Sequence, residues 1–245
     1  MIKLTKGAAP ACLGAAEVAE LTKKFKDTGE SVWHIHELKE ALLKTSFGKC
    51  AFCECALGEE SKYMEVEHFK FKDKYDDDVM KWENLLPACR RCNGKKLSHD
   101  VVLDPIVNPY DDEPSAHFLL LNYRLKSKTP KGQESIEVLD LNNSGRVVLS
   151  RFRIGEQLHE MLLVAGERLE TFKANRRTSS KNRFLRQLED LLKESQPNAA
   201  YAATTATLLH ADDAYVALVS ASKALNIWTE ELEALHVASI AIALR

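Results

Sequence analysis

The chain has no run of 18 apolar residues, which excludes an ordinary membrane-spanning helix. Its opening, MIKLTKGAAPACLGAAEVAEL, lacks the continuous apolar stretch of a secretory signal, so the expected location is cytoplasmic. Charge of one sign is missing too: 34 Lys and Arg stand against 36 Asp and Glu, for a net charge of -2. No global field draws in a polyanion, and any nucleic-acid contact must come from local basic patches. Internal repeats and long low-complexity tracts are absent. What remains is 45% hydrophobic over 245 residues, enough to bury a core in one large domain or in a small domain with an extension.

The six cysteines are more informative than their number suggests. Four form two C-x-x-C pairs, Cys50/Cys53 and Cys89/Cys92. In a reducing compartment such pairs favour metal ligation over a disulfide framework. Four thiolates suit a tetrahedral Zn²⁺, and a closed site of this kind holds a fold together without doing catalysis. Tying Cys53 to Cys89 also closes a long loop at an entropic cost that metal binding offsets. An alternative ligand set uses Cys55 in place of Cys50. Otherwise Cys55 and Cys12 read as small buried hydrophobes.

Around these pairs the patterning is mostly helical. Val18, Leu21 and Phe25 mark one helix, and Val32, Ile35, Leu38, Leu42 and Leu43 a second. His34 and His36 fall on different faces of the second, as ordinary surface or packing residues. Tyr63–Phe71 has strand character, Asp76–Asp78 reads as a solvated turn, and a short helix is expected from about Arg90 to Leu97. Phe118–Leu125 and Ser135–Leu139 read as two strands joined by a Lys/Gly/Pro-rich turn over Lys126–Gly132. Helices are then expected near 145–177, 180–195, 199–209, 211–225 and 229–244. Between Arg146 and Arg186 ten Lys and Arg face four Glu, consistent with either a phosphate-tracking surface or a solvated helical face.

Between the cysteine pairs lies a second series: VEHF (66–69), WENLLPAC (82–89) and CRRCNGKK (89–96). Asn84 follows His68 by sixteen residues and Asn93 follows Asn84 by nine. This series, flanked by both cysteine pairs, resembles the HNH nuclease family and its ββα-metal motif. The resemblance implies a metal-dependent endonuclease that hydrolyses phosphodiester bonds of nucleic acid, DNA by default, with RNA such as tRNA open. It implies His68 as general base, since a neutral imidazole can take a proton from water near neutral pH. Glu67 and Asn93 become ligands of a catalytic Mg²⁺ or Mn²⁺, an ion that prefers oxygen donors. Asn84 would orient the loop at His68. Lys95 and Lys96 are expected at the phosphate, Lys96 sharing a helix face with Asn93. Two departures are Glu67, where Asp is commoner in the family, and Phe71, where a proline often stands.

The implied fold is mainly α with a small zinc-stabilised ββα-metal core. Residues 1–46 form a helical lead-in, 47–105 the core, and 106–245 a mostly helical region with a hairpin at about 118–139. The layout is similar in particular to the PtuB-like nucleases of Septu and retron-associated antiphage systems. It shares the lead-in, VEHF, W-x-NLLPAC-x-x-CN-x-x-K and LDP (103–105), with firm motif resemblance over residues 50–105. That similarity implies a defence nuclease held in a hetero-oligomer with a PtuA-like ATPase. A zinc-knuckle module that binds nucleic acid or protein without cutting is the reading from another class.

Overall fold

A computed structural model describes residues 1–58 and 63–245, which divide into two compact units. The first comprises Met1–Phe118 with Leu125–Asn142, the second Leu119–Arg124 with Asn143–Arg245. The sequence placed a boundary at 106; residues 106–118 group instead with the unit that precedes them. Among the described residues no helix is long and apolar enough to cross a membrane.

The first unit begins with α1 (Ala15–Thr28), ended by Gly29 in the left-handed conformation (φ 70°), where a residue without a Cβ is least strained. An extended segment carries Val32 and Trp33 inward before α2 (His36–Thr45). His34 and His36 are both exposed. Strands β1 (Met64–His68) and β2 (Leu85–Cys89) pair antiparallel, with Glu67 opposite Leu86 and His68 opposite Leu85. Helix α3 (Arg90–Lys96) follows β2 directly. Phe25, Trp33, Leu38, Leu42, Val66 and Leu85 join one apolar cluster that backs the hairpin with α1 and α2. At roughly 1.5–3 kcal/mol for each fully buried side chain, this cluster is what gives β1 a fixed inner face.

The next stretch corrects the sequence reading. A single turn, α4 (Pro114–His117), leads into β3 (Phe118–Leu121) and β4 (Arg124–Ser127), and Ser135–Leu139 is not a strand. The hairpin turns at Asn122-Tyr123, both left-handed (φ 49° and 62°), a two-residue pattern matched to strand twist. Residues 130–138 form α5 (Pro130–Val138). Thr129 caps it by accepting from the Gly132 N–H, and Pro130 occupies the first position, where its missing N–H costs nothing. The Lys/Gly/Pro-rich stretch over Lys126–Gly132, expected as a turn, is the end of β4 followed by a helix start.

The second unit holds α6 (Leu149–Asn175), α7 (Thr178–Lys193), α8 (Ala202–Ala211), α9 (Asp213–Ala224) and α10 (Glu230–Ala241), close to the expected spans. Leu162, Leu169, Phe184, Leu188, Leu209 and Tyr215 belong to its own apolar core.

Candidate metal centres

The C-x-x-C pairs meet because each sits on a turn that the hairpin brings alongside the other. The Ala51 N–H donates to the Pro87 carbonyl, joining the first turn to β2, while the Glu54 N–H and Cys50 carbonyl close the turn itself. The ligand sulfurs of Cys50, Cys53, Cys89 and Cys92 all lie within 4.8 Å of one another. Cys55 is not in that group, and it is half-buried, as is Cys12. Close neighbours split the ionisation of these thiols. Hydrogen bonding from Cys50 holds Cys53 and Cys89 toward the thiolate, whereas burial pushes Cys50 up. Arg91 braces the cluster, donating to Cys92 Sγ at 3.5 Å and to the carbonyls of Leu139 and Asp140. Four convergent thiols of this kind can bind a metal such as zinc.

The second site is a cavity of about 570 Å³ lined by Glu65, Glu67, His68, Lys72, Arg90 and Asn93, among others. Residues two apart on a strand share a face, so β1 presents Glu65 and Glu67 together. Glu67 is only 2% exposed. Its Oε1 pairs with Lys96 Nζ at 2.8 Å, while Oε2 has no hydrogen-bond partner among the described residues. Burial pushes its carboxyl up to about 7, against the opposing pull of Lys96. A buried, unpartnered carboxylate oxygen facing a polar cavity is the donor a hard cation would take. Asn93 lines the same cavity, its Nδ2 donating to Glu65 Oε2 at 2.7 Å, which leaves Oδ1 as the atom it offers.

His68 Nε2 lies 3.0 Å from the Val79 carbonyl. A carbonyl only accepts, so Nε2 carries the proton and Nδ1 the lone pair. Trp33 packs edge-on against the ring, with centroids 4.5 Å apart. Burial lowers the His68 pKa to about 4, so the ring is neutral near pH 7. Asn84 fixes the segment that supplies Val79: its Oδ1 accepts from the Lys70 N–H at 2.7 Å, and its Nδ2 donates to the carbonyls of Lys70 and Asp78.

The expected phosphate lysines are placed differently. Lys96 is 1% exposed and donates to the His68 carbonyl at 2.8 Å as well as pairing with Glu67, so it is not a surface cation. Lys95 is exposed and 3.3 Å from Asp140 Oδ2. The cations at the cavity are instead Arg90 and Lys72. Sequence reasoning missed Glu65 and Arg90. The period-two relation of Glu65 to Glu67 could have found the first. Nothing in CRRC separates the outward Arg90 from the inward Arg91.

Lys96→Met is expected to cost about 3–5 kcal/mol, because it strands the Glu67 carboxylate in a buried position. Adding Glu67→Gln should recover much of that loss. Chemical denaturation of the two single variants and the double variant measures it, and additive losses would contradict the pairing.

A mainly helical protein with a β-hairpin–helix unit and two adjacent sites, one of four thiols and one of carboxylate, amide and imidazole, is the class these features define. No protein-family model matches the chain. It is 43% identical over 233 residues to the Septu protein PtuB of Bacillus thuringiensis, covering 94% of this chain and 90% of that one. The Septu protein PtuB of Bacillus mycoides (strain KBAB4) is 28% identical over 190 residues, 58% of this chain and 63% of that one. The chain belongs to the Septu PtuB family.

Proposed function

We propose that this chain is a metal-dependent HNH endonuclease that hydrolyses phosphodiester bonds of nucleic acid, acting in antiphage defence beside a PtuA-like ATPase. The observation that carries the catalytic part is the unpartnered Oε2 of Glu67, in a cavity that Asn93 and His68 also line. Family membership supports the defence setting and the ATPase. Glu67 and Asn93 would hold a Mg²⁺ or Mn²⁺ ion, and that ion would supply charge neutralisation at the scissile phosphate and its leaving oxygen. His68 takes the proton of the attacking water on Nδ1, while the Val79 carbonyl fixes the ring through Nε2. Asn84 positions His68 by pinning the 70–78 segment, and Lys96 positions Glu67. Arg90 at the cavity mouth takes the phosphate role expected of Lys95 and Lys96. The four cysteines would hold Zn²⁺ in a structural role.

The test is incubation of wild type and His68→Ala with DNA and with RNA in Mg²⁺ or Mn²⁺, with and without the ATPase. Equal cleavage by both proteins overturns the reading. A second expectation concerns pH. Glu67 must lose its proton to bind a cation, and with its pKa near 7 the Mg²⁺ affinity should rise about tenfold per pH unit below 7 and level off above. Calorimetric titration at several pH values checks this, and Glu67→Gln should flatten the profile.

A further inference from the structure

The second unit carries a charge concentration that the cleavage site does not use. From Arg168 to Arg186 there are seven cations, Arg168, Lys173, Arg176, Arg177, Lys181, Arg183 and Arg186, and one acidic residue, Glu170, in a chain whose net charge is -2. The segment is the end of α6, the turn and the first half of α7. Lys173, Arg176, Arg177, Arg183 and Arg186 are exposed. Among the described residues only Lys173 has a carboxylate partner, Glu170 at 2.7 Å. Three of the others lean on neutral groups: Arg168 and Arg183 donate to backbone carbonyls, and the Arg176 guanidinium lies 5.5 Å from the Phe172 ring centre.

Within the fold Arg177 is unfavourably placed. The first turn of α7 has no acidic residue, and its N-cap Arg177 makes no side-chain capping bond. Arg177 therefore sits at the positive end of α7, where anions are stabilised and cations are not, while Arg176 caps the negative end of α6. An external anion relieves that repulsion. The patch also lacks the apolar centre of a protein interface, since none of the exposed large hydrophobic side chains lies between Val164 and Val216. Hydroxyls and amides of Asn175, Thr178, Ser179 and Asn182 are interleaved with the cations and exposed.

We propose that the α6–α7 turn grips the phosphate backbone of nucleic acid without reading its sequence. At about 1.5 Å of rise per residue, Arg177 to Arg186 extends roughly 13 Å, which spans about four phosphates at ~3.4 Å of axial rise along one strand. The surface deepens the nuclease reading by naming where substrate is held. It belongs to the second unit alone and stands whether or not His68 cuts.

The experiment uses the full chain carrying His68→Ala, with no added divalent cation, and fluorescence anisotropy of labelled duplex DNA and RNA across a salt series. The expected parent slope of log K against log salt is about -3 or steeper. Arg176→Gln, Arg177→Gln, Lys181→Gln and Arg183→Gln together should make that slope shallower by about three and weaken binding tenfold or more at low salt. Unchanged melting shows that the variant is folded. A parent slope shallower than about -2, or an unchanged slope in the variant, overturns the proposal. Competition by polyglutamate as strong as that by DNA overturns it too, assigning the patch to an acidic protein face. Cleavage that fails while salt-dependent binding persists would count against the nuclease reading and leave this surface in place.

Discussion

Cys92→Ser should leave the first unit unfolded at 25 °C, and a strong chelator should do the same to the wild type. Structural zinc contributes about 10–16 kcal/mol in small zinc-dependent folds, as much as or more than the whole stability of a typical domain. Here a metal on the four sulfurs would join the turn at Cys50 and Cys53 to β2 and α3. The second unit has its own core around Leu162, Phe184 and Leu188, so its melting transition should remain. Metal analysis should give about one Zn²⁺ per chain. A metal-free wild type that melts identically with and without chelator would show that the thiols are only neighbours.

The second large effect is catalytic. His68→Ala should lower the cleavage rate by roughly 10²–10⁴, the usual contribution of a general base. The ring also fills space against Trp33, so some stability is lost with it, and the rate must be compared at a temperature where both proteins are folded. Asn84→Ala separates positioning from chemistry. It removes three hydrogen bonds to Lys70 and Asp78, freeing the segment whose Val79 carbonyl sets the His68 tautomer. Its loss should appear in kcat with a pH profile unlike that of His68→Ala.

Much of this was legible in the chain. The cysteine spacing foretold the four-sulfur cluster, since each C-x-x-C turn confines its own pair. The helical periods of α6 to α10 were also plain, because their apolar residues repeat over two or more turns. What failed was local. The Ser135–Leu139 stretch is apolar enough for a strand, yet the Thr129-Pro130 start outweighed it and made a helix. Lys96 went unread as a buried ion because its partner Glu67 lies 29 positions earlier, and pairing across a hairpin depends on register. The role of Asn93 toward Glu65 was hidden for the same reason.

Helix α3, seven residues long, supplies Cys92 to the thiol cluster and Asn93 and Lys96 to the carboxylate site. Its first turn is capped by Cys89 Sγ, itself one of the four sulfurs. Under the proposed reading the two cations therefore compete for nothing and share a support. Each would bind best with α3 seated against β1, so filling one site would favour the other, and linkage would make the gain reciprocal. A chain stripped of its zinc would therefore lose its magnesium site with it.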